Sequence, residues 1–199
     1  MRITRLLAIM CLVLLAGCLP AAERDGAAPD RTVIIVNAPQ ADSVPGLAES
    51  TADLIREESA CCSFDIHWGT PVRAQERQRN LESSRAHASA AAIARSLGAG
   101  WAVLVGSTGY DREVTERGAV RVISVTAAAK ATVVTAEGTE IARFEGRPRR
   151  ARRRETSDAE LVSDFREPLL ESLAAESAGD FTAALTDFLN GAVTAAQRK

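Results

Sequence analysis

The 199-residue chain has no apolar run long enough to cross a bilayer. Its longest begins at Leu6 and stops before Cys18, short of the roughly 20 residues that a spanning helix needs. Only two histidines are present, His67 and His87, and neither has a serine or thiolate partner at a suggestive spacing; both read as surface residues. There is no H-E-x-x-H, no G-x-S-x-G and no glycine-rich phosphate loop followed by lysine, which removes the commonest zinc-peptidase, serine-hydrolase and nucleotide-binding readings. The glycines of GSTGY at 106–110 read as a strand exit. Lysine is almost missing too: Lys130 and Lys199 are the only two, so the positive charge is carried by arginine. The formal net charge is −2, with no basic excess to suit nucleic acid. No internal repeat is visible, no cofactor is implied, and an enzyme is not expected.

What is present begins at the N-terminus. Arg2 and Arg5 precede the apolar stretch LLAIMCLVLLAG, the charged start and apolar core of a secretory signal. Leu15-Ala16-Gly17-Cys18 then resembles the lipobox of bacterial lipoproteins. The resemblance implies that residues 1–17 are removed and that Cys18 is lipidated as the first mature residue. Each lipid CH₂ buried in the membrane contributes about 0.8 kcal/mol, and more than one chain gives a stable anchor. Leu19 stands where enterobacterial lipoproteins retained in the inner membrane carry aspartate, which implies the outer membrane, facing the periplasm. Cys11 lies inside the apolar core and leaves with it. The mature chain, 18–199, would carry 22 basic against 26 acidic side chains, or −4.

Residues 19–31 are rich in alanine, proline, glycine and charge, and read as a flexible tether. Thirteen residues reach at most about 45 Å at ~3.5 Å each. Residues 32–199 read as one globular domain. TVIIVNAP at 32–39 predicts a strand buried on both faces. Leu47, Leu54 and Ile55 fall at helical spacing, with Ser43 as N-cap and Pro45 in the first turn. Phe64, Ile66 and Trp68 alternate with Ser63, Asp65 and His67, a half-buried strand. The polar stretch at 70–84 is expected to be partly helical. Ala86, Ala90, Ile93, Ala94 and Leu97 make a helical stripe ended by Gly98. Strands follow at 101–107, 119–135 and 140–147, the last two as a hairpin turning at Gly138, with 108–118 as a polar connection. Ser157-x-x-Glu160 reads as a capping box, Pro168 as a break, and Asp180 as the cap of a helix striped by Phe181, Leu185, Phe188, Leu189 and Ala192. The expected fold is an α/β (α+β) sandwich: one mixed sheet in the order β-α-β-α-β-β-β-α-α, with helices packed on it and its first three strands parallel.

Two stretches carry a further likeness. AAAIARSLGAGWAVLVGSTGY at 90–110 and VISVTAAAKATVVTAEGTEIARFEG at 122–146 resemble the helix–strand unit and following hairpin of a group of envelope lipoproteins. The group includes the curli-secretion channel subunit, the lipoprotein activators of penicillin-binding proteins and the N-terminal domain of the Tol-system translocation protein. The resemblance implies the fold above and a role in assembling or regulating an envelope machine. In that group the channel builds its barrel from long hairpins. Here the candidate insertions, 108–118 and 136–139, read as too short for two strands of about 10 residues each, so a pore is not expected.

Two local features remain. Cys61 and Cys62 are adjacent; they read as half-buried thiols, with a strained vicinal disulfide as the alternative in an oxidising compartment. With His67 as their only neighbour of suitable chemistry, they do not compose a metal site. The second feature is the run RPRRARRRE. Arg147, Arg149, Arg150, Arg152, Arg153 and Arg154 read as a loop of concentrated positive charge. Such a loop is either a solvated approach to a helix or a docking patch for an anionic polymer, a lipid headgroup or an acidic protein face. The function expected is a non-enzymatic, membrane-anchored interaction module with an envelope protein partner. The alternative is a lipoprotein that holds an anionic ligand through the arginines.

Overall fold

The computed structural model describes residues 31–38, 44, 46–58, 63–79, 85–156 and 166–196. Their framework is one six-stranded mixed sheet with helices on both faces, an α+β fold. The first strand, β1 (Thr32–Asn37), is a β-branched run buried on both sides: Val33 and Ile35 face one helical layer, Ile34 and Val36 the other. Helix α1 (Leu47–Glu58) buries Leu47, Ala48, Thr51, Ala52 and Ile55 as a single stripe. Ser43 and Pro45 lie outside the described residues. Strand β2 (Asp65–His67) pairs parallel with β1, Thr32 opposite Asp65. Helices α2 (Thr70–Arg79) and α3 (Ala86–Ser96) then return the chain to the other side of β1. Helix α3 closes at Leu97, and Gly98 follows with φ +70°, the left-handed conformation expected of a residue ending a helix.

Strand β3 (Trp101–Arg117) runs parallel to β1 and starts opposite Val33. Its partner on the other side is β4 (Val120–Thr135), antiparallel throughout. Strand β5 (Glu140–Glu145) returns against β4 through a turn at Gly138, whose φ is +94°. Strand β6 (Arg149–Thr156) then continues along the same edge of β4, pairing Ala127 with Arg149 and Val120 with Thr156. The strand order is therefore β2-β1-β3-β4-β5, with β6 in line beyond β5. Helices α4 (Arg166–Gly179) and α5 (Thr182–Ala196) complete the chain. Pro168 stands in the first turn of α4, where a missing N–H disrupts no helical hydrogen bond. Ser157 and Glu160 lie outside the described residues.

The two faces are buried unequally. Helices α1, α4 and α5 cover one face, where Leu173, Phe181, Leu185 and Leu189 meet Val125, Ala127, Ala129, Ala131 and Val133 of β4. Helices α2 and α3 cover a smaller area on the other, with Val72, Ile93 and Leu104 at its centre. The stretch 70–84, expected to be partly helical, holds α2 over Thr70–Arg79, so two helices stand between β2 and β3. Two expectations are corrected. The stretch 108–118 is not a connection but the outer half of β3 and its turn. The stretch 147–154 is not a loop but mostly strand β6. Both were hidden by polarity: these segments project beyond the core or lie along its edge, so their apolar alternation is weak. Asp180, expected as a helix cap, sits at the α4–α5 joint and turns its carboxylate to β6.

Leu185 of α5 is wholly buried in the core that α1, α4 and α5 close over the sheet. Leu185→Ala should lower unfolding free energy by about 2–5 kcal/mol, the range for a leucine truncated in a packed core. A denaturant titration should show the midpoint falling with little change in slope.

Candidate functional site

The outer half of the β3–β4 hairpin, with β6 beside it, forms an arm whose β6 side packs under α4 on one face of the sheet and is open on the other. A β-bulge shapes it. Thr108 pairs with Ala128, but the next pair is Asp111 with Thr126, so β3 holds one extra residue between them. Gly109, at φ +64°, supplies the left-handed residue that such a bulge uses. The extra residue swaps the faces of β3. Before it, Val103 and Val105 point into the α1–α4–α5 core; after it, Glu113, Thr115 and Arg117 point to the opposite face. Gly118 (φ +60°) and Ala119 close the hairpin as a two-residue loop, Arg117 being the last residue paired with Val120.

On that open face three strands align. Arg117, Thr115 and Glu113 of β3 stand opposite Val120, Val122 and Ser124 of β4. Arg154 and Arg152 of β6 stand opposite Val122 and Ser124, with Arg150 one pair further on. The result is a trough of about 1010 Å³ with a valine and serine floor and guanidinium walls. Glu113 is the single acid among its lining residues, and its carboxylate accepts from Arg150 at 2.8 Å. Both members of that pair are solvent-exposed, so the bond contributes no more than about 1 kcal/mol. Arg117, Arg152 and Arg154 form no ion pair or hydrogen bond among the described residues. Arg fits such a wall because its planar fork engages carboxylate or phosphate with two parallel bonds.

The remaining arginines do other work. Alternation along β6 turns Arg149, Ala151 and Arg153 to the helix-covered face. Arg149 donates through Nε to Asp180 Oδ2 at 2.9 Å and through a second nitrogen to Oδ1. The Arg147 amide donates to the same Oδ2 at 3.2 Å. Gly146 permits this approach: a Cβ there would lie 3.1 Å from Asp180 Cβ and 3.3 Å from the Ser177 carbonyl. The hydrogen bond from Arg149 holds the Asp180 carboxyl below its ordinary pKa, against the opposing effect of desolvation. Of the six arginines named from sequence, then, Arg150, Arg152 and Arg154 share the trough, Arg149 latches the fold, Arg153 lies on the covered face, and Arg147 is exposed at the joint before β6. Arg117 and Glu113 were missed. The signal for them was the glycine at 118, a two-residue hairpin turn between polar strands.

A smaller crevice of about 410 Å³ opens at the carboxyl ends of β1 and β2, lined by Asn37, Gly46, Glu49, Trp68, Arg73 and Glu76. Its charged side chains, two acids and one base, are each held by another lining residue. Arg73 binds Glu49 at 2.8 Å and stacks over Trp68, and Glu76 accepts from the Asn37 amide at 2.7 Å. His67 is exposed on β2, while His87 on α3 stands 3.6 Å from Glu140; neither lines the trough or this crevice. Among the described residues no three His, Cys, Asp or Glu side chains are grouped to hold a metal. Cys18, Cys61 and Cys62 lie outside them.

No protein-family model matches the chain, and no curated protein does. Solved structures do. Lipoprotein GNA1162 from Neisseria meningitidis is similar at 18% identity and a TM-score of 0.41, over 72% of this chain and 97% of that one. A minor lipoprotein from Acinetobacter baumannii is similar at 10% identity and 0.35, over 77% and 92%. A candidate lipoprotein from Caulobacter crescentus is similar at 12% and 0.42, over 80% and 90%.

The Asp180 latch has a defined pH sign. Its folded pKa lies below the unfolded one, so its stabilisation is full above the unfolded value of about 3.9 and is lost as pH falls through the folded value. Denaturant titrations from neutral pH into that acid window should show a smaller loss for Asp180→Asn than for the native chain. An equal loss would mean that the latch contributes nothing to folding.

Proposed function

We propose that this chain is a lipid-anchored protein of the bacterial envelope, held through Cys18, whose folded part is a non-enzymatic docking module for an anionic partner. The observation that carries the docking role is the arginine-walled trough. Three guanidiniums without a partner among the described residues there flank a valine and serine floor, on a part of the sheet that helices α2 and α3 leave uncovered. The anchor rests on the signal-like N-terminus and the lipobox likeness of residues 15–18. An outer-membrane position facing the periplasm rests on Leu19, and the likeness of 90–110 and 122–146 to envelope lipoproteins supports an assembly or regulatory role.

The arm's position suits a partner other than the anchoring membrane. The tether joins at Arg31, beside the start of β3, whereas the trough lies near Arg117 at its far end. Sixteen steps of strand at ~3.3 Å put these ends about 50 Å apart. The arm's own chemistry also disfavours insertion in lipid. Beyond the bulge its two strands pair only over 111–117 and 120–126, short of the ~10 residues of a crossing strand, and both faces carry charge: Glu113 and Arg117 on one, Arg112 and Glu116 on the other. A membrane-crossing strand keeps its lipid face apolar.

Cys18→Ser should release the protein from the membrane fraction or leave an uncleaved precursor; normal lipid labelling of that variant would overturn the anchor. The triple variant Arg117→Gln, Arg152→Gln, Arg154→Gln should lose retention on immobilised anionic polymer. The native chain's retention should fall with added salt, because exposed charges are screened over about 8 Å at physiological strength. Stability of the variant should change by less than about 0.5 kcal/mol. Salt-insensitive retention, or retention unchanged in the variant, would overturn the docking role.

A further inference from the structure

We infer that β6 is a receptor edge, and that its occupant is an extended acidic segment of another protein, added to the sheet as a strand. The inference rests on the docking role proposed above and gives it a partner class and a geometry.

Strand β6 pairs with β4 on one side, and no strand among the described residues pairs with it on the other. Its outer edge therefore presents backbone donors and acceptors in the regular spacing that a further strand would satisfy. The side chains along that edge set the chemistry of the visitor. Arg150, Arg152 and Arg154 fall at every second residue on one face, about 7 Å apart at ~3.4 Å per residue. An added strand repeats at the same interval. Its alternate side chains would stand about 5 Å from these arginines as direct cross-strand neighbours. Carboxylates at alternate positions match the row one for one.

The same features exclude other occupants. A second copy of β6 would set arginine against arginine, which is the device that edge strands use to prevent self-association. A small anion would meet one or two guanidiniums and leave the rest of the regularly spaced row unmatched. A membrane surface presents its headgroups in a plane, and a plane does not enter a trough.

The test uses the full lipidated chain in detergent with two labelled peptides, both long enough to run beside the eight residues of β6. One alternates glutamate and valine; the other has the same composition with its glutamates in a single block. Fluorescence anisotropy should show the alternating peptide binding at least about tenfold more tightly, equivalent to ~1.4 kcal/mol. Arg152→Gln with Arg154→Gln should abolish most of that preference. Hydrogen exchange on the unaltered protein should show new protection at β6 amides when the alternating peptide is bound, a readout independent of how any variant folds. Equal binding of the two peptides, or binding without protection at β6, would overturn strand addition while leaving a charge-based docking role intact. Binding of soluble peptidoglycan fragments with neither peptide bound would assign the trough to a glycan and overturn the inference. Failure of every anion would sink the docking role itself.

Discussion

Strand β4 is the constraint on which the structure depends. It is hydrogen-bonded on both sides along nearly its whole length, by β3 on one edge and by β5 and then β6 on the other. Its inner half, from Val125 to Val133, supplies the alanine- and valine-rich surface on which α4 rests, in the core that α1 and α5 complete. Its outer half supplies the floor of the trough. One strand thus serves as both core and site, and anything that shifts its register moves both.

The division of labour within the arginine run follows from the pleat. Successive residues of a strand face opposite sides, so six arginines in eight residues cannot act as one patch. Those on the covered face need a partner, and Asp180 supplies one at the closest point between the β5–β6 joint and the α4–α5 joint. Gly146 makes that contact possible by having no side chain where two backbones meet. On the open face Arg150 pairs with Glu113, while Arg152 and Arg154 are left for solvent or a ligand. Charge density in sequence is therefore a poor guide to charge density in space unless the local period is known.

The core was legible from sequence because burial leaves a period. The β-branched run of β1, the stripe of Ala90, Ile93, Ala94 and Leu97, the stripe of Leu185 and Leu189, and the turn at Gly138 were each read correctly, and their order gave the mixed sheet. The arm was not legible, because an element with little buried surface needs few apolar residues. Thr115 and Glu116 can stand in a strand as well as in a loop, since backbone pairing with β4 decides the matter. The arginines of β6 misled for the same reason: a run of like charge reads as solvated chain, yet the ladder to β4 holds it extended. Asp180 was legible as a residue that helix starts favour, but its use as the acceptor for Arg149 depends on a contact across 31 positions.

The bulge at Gly109 also bears on how such an arm can change over time. The face of the hairpin's β3 side beyond the bulge is set by its partners on β4: Glu113 stands opposite Ser124, Thr115 opposite Val122 and Arg117 opposite Val120. Loss of a single codon between Ser107 and Asp111 would leave those pairs intact and remove only the local kink and extra twist that a bulge brings. Length variation at this one point, invisible to any tally of substitutions, is thus a route by which related chains could re-aim the basic trough while keeping the same core.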